Sequence, residues 1–261
     1  MSRDKNSFIA SECPGAEGKL FIAHIDDMLR LSEKTCAARF SAFLSEAEAV
    51  LAEKYLRYCG HSNYLLYGGY CGAQRVVLGV FPGFSEPEPN EFPIAAVRFY
   101  GRAVGGLTHR DYLGSLMALG ITRSSVGDII CSEEEAFAML LPAAADMALG
   151  IEKIGRAGVK TELADTSGLE RNDSFAEISG TVASLRLDSV LGTALRLSRE
   201  KACRLIRSGS VSVNHAVTES VSEILSEGDV LSVRGFGRFI LDTVGGRTSK
   251  DRLHITVKKY L

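Results

Sequence analysis

No stretch of this chain approaches the roughly 18 consecutive apolar residues that a bilayer-spanning helix requires. The opening Met1-Ser2-Arg3-Asp4-Lys5-Asn6 is polar and only Phe8-Ile9-Ala10 follows, so the apolar core of a secretory leader is missing as well. Together these absences predict a cytosolic protein with no membrane partner. Paired cysteines are also lacking. Cys13, Cys36, Cys59, Cys71, Cys131 and Cys203 stand singly, with no Cys-x-x-Cys motif and no histidines gathered beside them. A structural zinc site needs ligands clustered in sequence, so no metal is expected, and in a reducing compartment these thiols read as small core residues. Internal repeats and low-complexity tracts are absent, which sets aside solenoids and disordered linkers as the main architecture.

What is present is an ordinary globular composition with an uneven distribution of charge. Apolar residues make up 46% and charged residues 24%, and 261 residues suffice for one large domain or two to three small ones. The net charge of −2 conceals an asymmetry. Residues 181–261 carry 13 Lys/Arg against 8 Asp/Glu, whereas residues 1–180 carry 17 against 24. A basic C-terminal module on an acidic body points to a polyanionic partner.

Periodicity divides the chain into segments. Phe21, Ile22, Ile25, Met28, Leu29 and Leu31 form one apolar stripe, and Phe40, Phe43, Leu44, Val50, Leu51 and Leu56 continue at helical spacing. Ser45 and Glu48 make a capping box, and Gly60 is the stop signal. Residues 1–62 are therefore expected to form a helical domain. Arg75 to Phe81 and Ile94 to Tyr100 read as strands, Thr108-His109-Arg110-Asp111 as a capped helix start, and residues 127–131 and 136–141 as further strands. A helix over 143–154 and a closing strand from Val159 to Leu163 complete a β-β-α-β-β-α-β order. Residues 63–165 are thus expected to be a ferredoxin-like or RRM-like α+β domain, an antiparallel sheet with two helices. A polar linker over 166–180 leads to a C-terminal domain over 181–261.

That last domain carries the functional signal. After Ser198, a plausible N-cap, Ala202, Leu205 and Ile206 form the apolar side of a helix. Lys201, Arg204 and Arg207 share the other side with Ser208. Guanidiniums at one-turn spacing suit phosphate oxygens because the planar fork grips them bidentately. Arg186-Leu187-Asp188, Leu191, Ser198-Arg199, Ala202, Ile206, Gly209, Val211, Val213-Asn214 and Glu227-Gly228-Asp229 resemble the alpha-L RNA-binding domain over about 60 residues. That resemblance implies RNA contacts at Arg186, Arg199, Lys201, Arg204 and Arg207, with Asn214 in the following turn. Arg234-Gly235-Phe236-Gly237-Arg238 lacks the third glycine and the helix of a nucleotide loop. It reads as a basic turn, in which Phe236 either stacks on a base or is partly buried, and Arg234 and Arg238 face phosphates.

The whole chain goes further. Tyr67-Gly68-Gly69-Tyr70, Ala73-Gln74-Arg75, the run from Leu107 to Gly114, Gly127-Asp128-Ile129 and the alpha-L domain together resemble the YlmH family. The resemblance implies a ribosome-associated RNA-binding protein without enzymatic activity. It would act on large subunits that hold peptidyl-tRNA, in bacterial quality control, through ribosomal RNA and possible tRNA contacts. It needs no cofactor and no small-molecule substrate. An older association with cell division travels with the family, leaving a division adaptor as an alternative. An RNA-modifying enzyme is a further alternative, because alpha-L domains accompany pseudouridine synthases and methyltransferases. His109-Arg110-Asp111 invites an acid–base reading, but Asp111 already has a capping role, and His109 with Arg110 suits a second RNA patch better.

Overall fold

The computed structural model describes residues 5–13, 15–102, 104–166, 169, 175–214 and 216–260. Residues 167–168 and 170–174 of the expected linker, and His215, therefore lie outside the described residues, while residues 175–180, also expected to be linker, belong to a strand. The chain divides into two compact units, Met1–Arg171 and Asn172–Leu261.

The first unit opens with α1 (Lys5–Glu12) and α2 (Ala16–Thr35), followed by β1 (Arg39–Leu44), α3 (Glu46–Cys59), β2 (Tyr64–Tyr67) and β3 (Val76–Val80). The segment expected to be all helical thus contains a strand at residues 39–44. The strand at 76–80 pairs with it and the strand at 64–67 pairs with that one, in the order β1-β3-β2. A domain boundary at residue 62 therefore cuts through one sheet. The misreading has a physical cause. A β-bulge sets Phe40 opposite Gly79 but Phe43 opposite Val77, so three residues of β1 span two of β3. Both phenylalanines consequently join the same core at an i,i+3 interval, the spacing of a helix. The Ser41 hydroxyl accepts the Leu78 amide at 2.9 Å within the irregularity.

The second half of this unit contains β4 (Ala95–Tyr100), α4 (His109–Ala118), β5 (Val126–Cys131), β6 (Glu135–Leu140), α5 (Pro142–Ala148), the short hairpin β7 (Lys153–Ile154) and β8 (Ala157–Gly158), and β9 (Lys160–Ala164). The antiparallel order β5-β6-β4-β9 with two helices is the β-α-β-β-α-β arrangement of an RRM-like layer. The helix expected to reach residue 154 stops at Ala148, and the chain turns through Gly150 into β7. Val97, Phe99, Ala136, Ala138 and Leu140 face α4 and α5. Ala96 and Met139, on the reverse of the same strands, pack with Phe43, Val77 and Phe81 of the first sheet. On the far side of that sheet, Leu44, Leu78 and Val80 meet α1, α2 and α3. β3 is buried on both faces, which explains its unbroken apolar run, where a half-buried strand would alternate.

Capping secures the helices as the sequence predicts. The Ser45 hydroxyl accepts the Glu48 amide at 3.3 Å, and the Glu48 carboxylate accepts the Ser45 amide at 2.7 Å. Ser45→Ala should cost about 1 kcal/mol, read as a lower urea midpoint at unchanged slope.

The second unit is a single six-stranded antiparallel sheet with two helices on one face. In chain order it runs β10 (Phe175–Val182), α6 (Leu187–Ala194), α7 (Arg199–Arg207), β11 (Val211–Val213), β12 (Ala216–Val217), β13 (Val230–Val233), β14 (Gly237–Arg247) and β15 (Leu253–Tyr260). The sheet order is β10-β15-β14-β13-β11-β12. Leu187, Val190, Leu191, Ala202 and Ile206 from the helices share one core with Val182, Leu231, Phe239, Leu241, Ile255 and Val257. Gly180 is a close-approach position, because a Cβ there would lie 2.3 Å from Cγ2 of Thr193 on α6.

Candidate nucleic-acid interface

The interface is anchored by a carboxylate that solvent barely reaches. Asp188, at the start of α6, is 1% exposed. Arg186 reaches it with two parallel bonds, Nε to Oδ1 and Nη2 to Oδ2, each 3.1 Å, and Arg199 Nε donates to Oδ2 at 2.9 Å. Burial alone would raise the carboxyl pKa, but the two guanidiniums outweigh it and hold the group below its ordinary value. Asp188 therefore fixes α6 against the start of α7. Arg186 and Arg199, both expected to hold RNA, have part of their donor capacity committed inside the protein. The aspartate that an enzyme reading would need is enclosed by the same contacts.

Beyond this anchor, α7 presents a cationic face. Ser198 caps the helix by accepting the Lys201 amide at 3.4 Å. Lys201, Arg204, Leu205 and Ser208 line an open groove of about 530 Å³ that Leu197 and Phe236 complete. Phe236 comes from the turn joining β13 to β14 and is 39% exposed. The structure thus brings the aromatic of the glycine-flanked turn against the basic helix, with Arg234 exposed on the same turn. Arg204 shares its charge with Glu200 one turn earlier at 2.6 Å, a pair open to solvent and hence weak. Lys201, Arg207 and Arg234 make no ion pair among the described residues. Leu197 and Leu205 are the groove residues that the sequence did not reveal. Leu205 had the signal, lying four residues after Lys201 and so on the same helical face, yet its apolar character suggested core.

Two expected contacts fall elsewhere. Arg238, two residues beyond Phe236, is not part of the groove. Its guanidinium lies 5.1 Å from the centre of the Tyr260 ring, against β15. Asn214 has a left-handed backbone, φ 47°. Its side chain donates to Asp229 at 2.8 Å and accepts the Val230 amide at 3.0 Å. Asp229 in turn accepts the Ser226 amide at 2.7 Å. The Glu-Gly-Asp motif and Asn214 are thus a turn lock. His109 and Arg110 lie in the first unit, exposed at the start of α4, where Thr108 and Asp111 form the expected capping contacts.

The RRM-like layer does not offer the surface its topology suggests. In that fold the face opposite the helices is the usual base-stacking platform. Here Ala96 and Met139 are buried beneath the first sheet. Beside them, Arg98 is bonded to both Glu135 and Glu162, the latter at 2.9 Å. That face is therefore covered in part, and its central arginine is held by carboxylates.

Comparison with known proteins fits this division. Residues 87–167 match the family described as "Putative RNA-binding domain in YlmH", and residues 185–231 match the S4 domain. The "Ribosome-associated protein quality control protein P2" of Bacillus subtilis (strain 168) is 39% identical over 196 residues, covering 74% of this chain and 76% of that protein. The chain belongs to the YlmH family. Its RNA-binding character follows from that membership and from the S4 module. Among solved structures, "Cell division protein ylmH from Streptococcus pneumoniae" superposes with a TM-score of 0.52 at 20% identity, over 59% of this chain and 95% of that one. That likeness shows a shared YlmH fold.

Proposed function

We propose that this YlmH-family chain is a non-enzymatic RNA binder that works in the cytoplasm on the ribosome. It holds ribosomal RNA of the large subunit in the α7–Phe236 groove of the S4 unit while peptidyl-tRNA occupies that subunit, as part of quality control. The observation that carries this reading is the groove itself, an apolar floor and an exposed aromatic rimmed by Lys201 and Arg204. Cations at that rim suit phosphates and the ring suits a base. The named role of the Bacillus subtilis relative supports the ribosome as the place where this RNA is met. The seclusion of Asp188 disfavours the pseudouridine-synthase alternative, which needs an accessible aspartate.

The test is co-sedimentation with separated small and large subunits, and with large subunits carrying peptidyl-tRNA, across a salt series. Salt-sensitive binding to large subunits, strongest when peptidyl-tRNA is present, is the expected result. Equal binding to small subunits, or none to either, rejects it. Phe236→Ala should weaken binding about tenfold, since stacking on one aromatic is worth about 1–3 kcal/mol, with the thermal midpoint unchanged. Wild-type affinity in that variant would remove Phe236 from the interface.

A further inference from the structure

Four sequence motifs that the S4 groove does not use converge in the first unit. Tyr70, Gln74-Arg75, His109 and Gly127-Asp128-Ile129 come from separate segments, yet they meet where the first sheet joins the RRM-like layer. Ser45, Glu46, Gln74, Arg75, His109, Arg123, Asp128 and Ile129 line a pocket of about 280 Å³ there. Asp128, 7% exposed, is its organiser. It accepts the Tyr70 hydroxyl and the Gln74 amide at 2.7 Å each, and the Arg75 amide at 3.2 Å.

Two guanidiniums are held together beside it. Arg75 Nε and Arg123 Nη1 donate to the same carbonyl oxygen, that of Val126, at 2.9 and 2.6 Å. Arg75 Nη2 also donates to the Phe43 carbonyl at 3.0 Å. Burial works against the positive charge of both arginines, and for Arg123 the neighbouring Arg75 adds to that effect. Like charges in a partly dry pocket are costly unless an anion offsets them. Glu48 and Asp128 act on Arg75, and Glu46 also lines the pocket, but Glu48 is held by Ser45 in the α3 cap and Asp128 already receives three hydrogen bonds. Arg75 Nη1 and Arg123 Nε and Nη2 make no hydrogen bond among the described residues, and the Gln74 side-chain amide beside them adds one further donor group and one acceptor. The first turns of α3 and α4 add their positive ends at Ser45 and His109. A set of spare donors calls for a ligand that only accepts, and phosphate is such a group.

We propose that this seam pocket is a second RNA contact, which takes one phosphate group of an RNA strand between Arg123, Arg75 and His109. It rests on the reading that the chain binds RNA, and it supplies the RRM-like domain with a nucleic-acid contact away from its partly covered sheet face. Arg110, exposed beside His109, extends the contact along the strand.

The test uses the full chain and follows the arginine side-chain Nε–H resonances by NMR, with Arg123→Gln supplying the assignment. The probes are inorganic phosphate and one short single-stranded RNA, with either a 5′-phosphate or a 5′-hydroxyl. Shifts of the Arg75 and Arg123 resonances with phosphate and with RNA are expected. A response to both RNAs assigns the site to internal phosphodiesters, and a response to the phosphorylated one alone assigns it to a strand end. Because Arg123→Gln also removes a structural bond, His109→Glu is the second variant. It is exposed in the first turn of α4, where a carboxylate is compatible with the helix. It should weaken RNA binding about tenfold, the loss of one charge-assisted contact, at an unchanged unfolding midpoint. Shifts with phosphate but not with RNA, or wild-type RNA affinity in His109→Glu, overturn the proposal. A double charge reversal in the S4 groove separates the two sites. If it leaves the seam resonances responsive to phosphate while abolishing most RNA affinity, both readings stand. If it leaves RNA affinity intact while His109→Glu lowers it, the S4 groove reading fails and the seam survives.

Discussion

Lys201→Glu combined with Arg204→Glu is expected to weaken RNA binding by the full chain about a hundredfold, the loss of two phosphate contacts at roughly one decade each. Both side chains rim the groove that Phe236 closes, and neither is needed for the fold. Lys201 makes no ion pair among the described residues, and the partner of Arg204, Glu200, is itself exposed. The unfolding midpoint should therefore hold while affinity falls. The slope of log affinity against log salt should flatten by about two, because each phosphate contact releases about one counterion. Filter binding to ribosomal RNA across a salt series measures both quantities. A reduced affinity with an unchanged slope would place the lost contacts away from phosphate.

The second large effect is on stability. Asp188→Ala should destabilise the S4 unit by about 1.5–3 kcal/mol, the loss of hydrogen bonds from two guanidiniums to a buried carboxylate, and less than a fully buried ion pair would cost because Arg199 lies largely in solvent. The variant leaves Arg186 and Arg199 turned toward a site that no longer balances them. The same network sets a pH dependence. The Asp188 carboxyl is depressed below its unfolded value, so its contribution is fully present above about pH 4, the ordinary aspartate value. It is lost as pH falls through the folded-state pKa. Urea unfolding followed by circular dichroism between pH 7 and pH 2 should show wild type losing this increment on acidification while Asp188→Ala does not. Parallel curves would remove Asp188 from the account. For the same reason Arg199→Ala is not a clean probe of RNA binding, since it withdraws a counter-charge from the core.

Much of this was legible in the sequence, for identifiable reasons. Helix starts were readable because capping is local, as Ser45 with Glu48 and Thr108 with Asp111 show. The S4 module was readable because its apolar positions, turn glycines and cations recur at fixed spacing. Residues 39–44 were not, because the bulge in β1 gives two phenylalanines a helical interval. The partners of β2 and β3 were not either, since strand pairing is decided by contacts that periodicity does not encode. At the interface, the cationic stripe of α7 could be seen. That Arg186 and Arg199 turn inward to Asp188 could not, because charge type says nothing about partner. Arg238 and Phe236 are two residues apart, which in a regular strand means one face, yet the turn before β14 sends them to different neighbours. The seam pocket was present only as scattered motifs, and the fold alone shows that they meet at Asp128.

The strand order of the S4 unit has a consequence for how the protein is made. β15 is the last strand of the S4 unit among the described residues, and it lies between β10 and β14, pairing β10 along its whole length from Phe175 opposite Tyr260 to Val182 opposite Leu253. β10 emerges first from the translating ribosome and must wait, unpaired, until β15 has followed it out. The first unit can close while synthesis continues, but the S4 sheet is completed only once β15 has emerged. Until then β10 offers a bare edge to any other extended chain nearby. Full RNA-binding competence therefore waits for β15, the strand that joins β10 to the rest of the sheet.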